Sequence, residues 1–130
     1  MSLYSMFKGT GESGFGYGSS AEDVVEGLDL SGKSVLITGF NSGIGKQCAR
    51  AIAAAGATVL GAARSEEKAE RTIADLAGDF VPVVCELSDP ESVLGAVKTA
   101  TDYGEPLDAI ICNAGIMALP ELELHHGYEK

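Results

Sequence analysis

The segment Val35–Lys46, VLITGFNSGIGK, constrains the fold of this chain more than any other, because a β-prone apolar run leads straight into a turn with glycines at 39, 43 and 45. Valine, isoleucine and threonine favour a strand, and glycine lets the backbone leave that strand sharply. A strand that turns into a helix in this way is where an open α/β sheet binds anions. The first helical turn offers unpaired N–H groups and the positive end of the helix dipole. Spacing narrows the ligand. A P-loop needs Gly-x4-Gly-Lys-Ser/Thr, but Phe40 stands at its first glycine and Gln47 at its magnesium-binding hydroxyl. The fingerprint Gly-x-Gly-x-x-Gly fits only as Gly43, Gly45 and Cys48, without its third glycine.

The rest of the chain repeats the theme. Val35–Thr38, Thr58–Ala62, Phe80–Cys85 and Leu107–Cys112 are short apolar runs rich in β-branched residues, which predict four strands. Between them, Ile44, Cys48, Ile52 and Ala55 repeat at helical spacing, with Gly56 as a stop. A second helix is expected from Ser65 to Ala77, before Gly78. A third starts at SDPES, with Ser88 or Asp89 as N-cap, Pro90 in the first turn and Glu91 in capping-box position to Ser88. Alternation at this rhythm predicts an α/β protein with right-handed βαβ units and a parallel sheet buried on both faces.

Upstream, residues 8–20 hold five glycines without periodicity and read as a mobile leader. Ser20, followed by Ala21, Glu22 and Asp23, is placed to cap a short helix running through Val24 and Val25 into Leu28. The domain reading is therefore a flexible leader over 1–28 and one folded unit over 29–130, in keeping with a 130-residue chain.

Thr38-Gly39-x-x-x-Gly43-Ile44-Gly45 is the pattern of the glycine turn, and with it the sequence resembles the short-chain dehydrogenase/reductase family. The resemblance covers about residues 29–130. It implies a Rossmann-like doubly wound sheet of strand order 3-2-1-4, incomplete here, and a nicotinamide dinucleotide held at this turn. Gly39, Gly43 and Gly45 would admit the pyrophosphate, and Asn41 and Ser42 would brace the loop and donate to phosphate. The leader and GIMALP look most like the retinol-dehydrogenase-like branch and its plastid relatives.

Three later signals follow in order. After strand two comes Arg64, where dinucleotide folds read the adenosine ribose; a cation there suits a 2′-phosphate, so NADP (NADPH) is the expected cofactor, with Lys46 as a candidate helper. The plain alternative is a solvated helix-entry Arg64, with Glu67 as a candidate partner. After strand three, Glu86 and Leu87 resemble the family's acidic-plus-leucine pair at the adenine pocket, with glutamate where aspartate is commoner. A solvent-facing Glu86 is the alternative. After strand four, Cys112-Asn113-Ala114-Gly115 resembles the family's Asn-Asn-Ala-Gly turn, with cysteine at its first position and the loss of one bracing amide.

The resemblance also implies what to look for next: a serine, a tyrosine and a lysine that carry the proton chemistry while nicotinamide carries the hydride. In the family they follow the strand-four turn. The Tyr-x-x-x-Lys of this sequence, Tyr4 to Lys8, precedes the first strand and reads as coincidence. Tyr128 has the wrong spacing to Lys130. His125 and His126 are adjacent and without a ligating cluster, so they read as surface residues rather than metal ligands, with a substrate rim as their alternative place. No catalytic residue is therefore assigned. The expected function is the N-terminal cofactor-binding portion of an NADP-dependent oxidoreductase acting on a carbonyl or alcohol, inactive alone, with the small-molecule substrate belonging to a longer form. The alternative is a non-catalytic NADP-sensing or partner-binding module.

Composition sets the remaining bounds. Nineteen acidic and nine basic residues give a formal charge of −10, which disfavours nucleic acid and anionic membranes as partners. Phosphate must then be held by local geometry. Cys48, Cys85 and Cys112 are odd in number and lack a C-x-x-C pair, so they read as small buried residues in a reducing compartment. No membrane span or secretory signal is legible. The expected location is cytoplasmic, with a plastid as the alternative. The apolar strand-four edge, LDAIIC, would lack a neighbour and offer pairing to a second copy or a partner.

Overall fold

The computed structural model describes residues 9–117, 120–125 and 127–129. Tyr4, Lys8, His126 and Lys130, weighed above, lie outside them. Four helices and six strands follow in the order α1 (Ala21–Val25), β1 (Ser34–Thr38), α2 (Gly43–Ala54), β2 (Thr58–Ala63), α3 (Glu66–Ala74), β3 (Asp79–Val84), α4 (Pro90–Asp102), β4 (Ala109–Ile111), β5 (Leu124–His125) and β6 (Tyr128–Glu129). The first four strands make a parallel sheet, as the alternation predicts, in the order β3-β2-β1-β4 that the resemblance implies, and β5 and β6 pair as an antiparallel hairpin.

Alternate residues of the central strands serve opposite faces, because side chains in a strand have a period of two. Val35, Ile37, Val59 and Ala63 pack with Ala49 and Ala53 of α2 and Ala69 of α3. Leu60, Ala62 and Val83 pack with Ala96 of α4, flanked by Leu36, Tyr103 and Leu107. Alanine dominates the helix side of both layers, which lets the helices lie close to the sheet. Phe40 is fully buried and stacks on Phe80 with ring centroids 6.4 Å apart. Gly61 of β2 makes room for it: a Cβ there would lie 2.5 Å from the Phe40 ring.

Several helix ends differ from expectation in instructive ways. At α4 the N-cap is Asp89, whose side chain accepts from the Glu91 amide, and Pro90 occupies the first turn. The Ser88–Glu91 capping box does not form, because the Ser88 hydroxyl donates instead to Glu86 Oε1 at 2.8 Å. Helix α3 stops at Ala74 rather than Ala77, with Asp75 as C-cap. In α2, Ile44 does not join the core face with Cys48 and Ile52; it is 83% exposed at the opening turn.

Ser20 and Asp23 close a reciprocal capping box on α1. That helix contacts α2, with Glu22 paired to Arg50, and the Leu30 amide donates to the Ala55 carbonyl. Helix α2 is thus contacted from residue 22 onward. On the opposite side, Asp108 ties β4 to β1 by accepting from Lys33 Nζ at 2.8 Å and the Ser34 amide at 2.9 Å. The outer edge of β4 pairs with no other described strand, and its Ile110 is 61% exposed.

Candidate functional site

The carboxyl ends of β1 to β4 open onto one cleft of about 870 Å3. It lies at the point where strand order reverses from β1 toward β2 and β4, the place where doubly wound sheets take their ligands. All twelve residues singled out from sequence line it: Gly39, Asn41, Ser42, Gly43, Ile44, Gly45, Arg64, Glu86, Leu87, Asn113, Ala114 and Gly115. They arrive from four separate strand ends, so their meeting is a consequence of the parallel topology.

The glycine turn is shaped by contact and by empty space. At Gly39 φ is +67°, and a Cβ would lie 2.9 Å from the Ala114 Cα. At Gly45 a Cβ would lie 2.4 Å from both the Gly39 carbonyl oxygen and Asn113 Nδ2. These two glycines bring the β1 and β4 turns together. Gly43, with φ of +53°, and Gly115 have open space beside them, so another molecule can approach their backbone closely.

Helix α2 starts at this turn, and its start differs from the other three. Ser20, Ser65 and Asp89 each cap their helices through a side-chain bond, and α1, α3 and α4 carry acidic residues in the first turn. Ser42, the N-cap of α2, makes no such bond, and the first turn holds no acid. The amides and positive dipole end of a 12-residue helix are left to an external anion.

Asn113 holds the floor. Its Nδ2 donates to the carbonyl oxygens of Thr38 at 2.9 Å and Gly39 at 3.2 Å. The Thr38 hydroxyl in turn accepts from the amides of Asn113 at 3.1 Å and Ala114 at 3.0 Å. The bracing that Cys112 fails to supply is therefore carried by the next residue and by Thr38. Cys112 is exposed, unlike the small buried cysteine expected, and Cys48 and Cys85 are half-buried.

Arg64 is exposed directly after β2, as a solvated residue would be, and forms no ion pair among the described residues, so the pairing with Glu67 is not made. Lys46 is directed elsewhere: it pairs with Asp75 at 3.3 Å and does not line the cleft. Glu86 does not face solvent freely. Its Oε1 accepts from the amide and hydroxyl of Ser88, and its own amide donates to Ser92 Oγ. The hydrogen bonds from Ser88 hold its carboxyl below the usual glutamate value, helped by the nearby Arg64 cation.

The cleft also takes in residues that the sequence reading did not assign to it, among them Cys85, Ser88, Ile116, His125 and Glu129. Ser88 had a signal, since a serine two residues after Glu86 can close an Asx-like turn. His125 and Glu129 come from the β5–β6 hairpin, whose two-residue strands carry no legible periodicity. His125 thus sits on the rim of this cleft.

An open parallel sheet with a glycine-rich turn, an uncapped helix start and a cation after β2 defines a dinucleotide-binding α/β protein. The comparisons with known proteins agree on which kind. The short chain dehydrogenase family matches over residues 33–127, and the chain belongs to that family. It is 35% identical over 127 residues to the short-chain dehydrogenase TIC 32 B, chloroplastic, of Brassica napus, covering 92% of this chain and 39% of that protein. It is 39% identical over 89 residues to the 3-oxoacyl-[acyl-carrier-protein] reductase FabG of Vibrio cholerae, covering 68% of this chain and 36% of the relative. Among solved structures, a short-chain type dehydrogenase/reductase from Mycobacterium marinum superposes with a TM-score of 0.61 at 39% identity, over 73% of this chain and 40% of that one. The chain spans between a third and two fifths of the length of these relatives. Members of the family bind nicotinamide cofactors, and the geometry above fits one. No helix among the described residues is long and apolar enough to cross a membrane.

Proposed function

We propose that this chain is the cofactor-holding part of an NADP-dependent short-chain oxidoreductase that acts on a carbonyl or alcohol. The observation that carries the reading is the convergence of Gly43, the uncapped start of α2 and Arg64 on one cleft. The nicotinamide, when bound, supplies or takes the hydride. The residues here hold what is attached to it: the α2 amides and the Gly43 backbone meet the pyrophosphate, Arg64 meets the 2′-phosphate, and Leu87 borders the adenine. One relative is by its name a 3-oxoacyl reductase, which supports a carbonyl as the reacting group. The described cysteines are all free, which supports a reducing compartment such as the cytoplasm. Thermal unfolding with NADPH, NADH or nicotinamide mononucleotide tests the reading. NADPH raises the midpoint most and the mononucleotide least; equal midpoints with all three would refute it.

The open edge of β4 favours a second reading, in which a non-catalytic NADP-sensing module pairs through Ala109–Ile111 with another copy. Sedimentation of wild type and Ile110→Lys separates the two, because only the module needs an NADPH-dependent dimer that the lysine abolishes.

A further inference from the structure

The hairpin formed by β5 and β6 places His125 and Glu129 on the wall of the cleft and also on the wall of a second hollow of about 460 Å3. Leu87 and Ser88 belong to both hollows as well. The hairpin and the β3–α4 turn therefore face each other across the passage between them. Leu87 and Leu94 line the second hollow and are 53% and 61% exposed, so apolar surface there is left uncovered. A purine ring has two flat faces and is held best with an apolar side chain on one and a π-system on the other. Among the described residues that line either hollow, His125 carries the only aromatic ring.

We propose that His125 forms the outer face of the adenine subsite, so that the base lies between its imidazole and Leu87. This rests on the reading of the cleft as a dinucleotide site and adds a residue to it. The placement agrees with His125 and Arg64 both lying within electrostatic range of Glu86 at the β3–α4 turn. The hairpin is then a specificity element for the adenosine half, contributed from a segment far from the glycine turn in sequence.

Calorimetric titration of the protein with NADPH, adenosine 2′,5′-bisphosphate and reduced nicotinamide mononucleotide tests this, using wild type, His125→Ala and His125→Phe. Loss of one stacking partner weakens both adenine-bearing ligands about tenfold in His125→Ala, leaves the mononucleotide unchanged, and is reversed in His125→Phe. Adenine-ligand affinities unchanged by His125→Ala, an equal loss for the mononucleotide, or no rescue by phenylalanine would each overturn the assignment. If wild type binds none of the adenine ligands, the dinucleotide reading falls with it. If wild type binds and His125→Ala binds as well, only the role of His125 falls.

Discussion

The Thr38 hydroxyl accepts from the backbone amides of both Asn113 and Ala114, while the Asn113 side chain donates back to the Thr38 and Gly39 carbonyls. Two strand ends separated by 75 residues are thereby locked at the floor of the cleft. Thr38→Val keeps the shape and removes the acceptor, leaving the exposed Ala114 amide to water and the part-buried Asn113 amide with only its bond to the Ile111 carbonyl. A loss of about 0.5–1.5 kcal/mol is expected, read from the urea midpoint at unchanged slope.

Glycine substitutions separate positions that need the missing side chain from one that does not. Gly45→Ala drives a Cβ to 2.4 Å from a backbone carbonyl and from Asn113 Nδ2, so it weakens the fold and disturbs the floor together. Gly95, inside α4, has nothing within 4 Å of the added methyl. Gly95→Ala raises stability by about 0.5–1 kcal/mol, because alanine is the better helix former. Paired denaturation curves check both signs.

Phe40 is the keystone under the glycine turn, buried against Gly61 and Phe80. Phe40→Ala costs about 3–5 kcal/mol by leaving a cavity in a core otherwise built mainly from alanine and valine. Gly61→Ala forces the same ring aside and costs about 1–3 kcal/mol. Thermal unfolding ranks the two.

Acid should loosen the β3–α4 turn before it reaches the core. Glu86 ionises more readily when folded than the ordinary glutamate value of 4.5, chiefly through the hydrogen bonds from Ser88. A depressed carboxylate contributes stability that is present above the unfolded value and is lost as pH falls through the folded one. Glu86→Gln therefore lowers stability near neutrality and has less left to lose below pH 4.5. Denaturation midpoints across pH 3 to 7, about that range, show the two curves converging at the acid end.

The sheet was legible because each strand is a short apolar run and each helix begins or ends on a residue with a local reason to be there. Ser20, Ser65 and Gly56 act where the pattern puts them. Failures come where two local partners compete. Ser88 satisfies Glu86 rather than the helix, and Asp89 takes the cap. Ile44 sits at core spacing but in the first turn, ahead of the point where α2 meets the sheet, so periodicity misplaces it. The turn residues named after each strand meet in the cleft, since parallel topology carries every strand end to one side, but Cys85, directly after β3, was not assigned to it. The hairpin was not found, because register of two-residue strands depends on a turn at Gly127 and not on any repeating pattern.

The central claim is that the cation after β2 selects a phosphorylated ribose. Arg64 is exposed and unpaired among the described residues, so its removal leaves the fold intact and takes away one charge-assisted contact. Dissociation constants of NADPH and NADH, measured calorimetrically on wild type and Arg64→Ala, test this directly. The account predicts tighter binding of NADPH by wild type, a loss of about tenfold or more for NADPH in the variant, and no change for NADH. Equal affinities in wild type, left equal by Arg64→Ala, would contradict it.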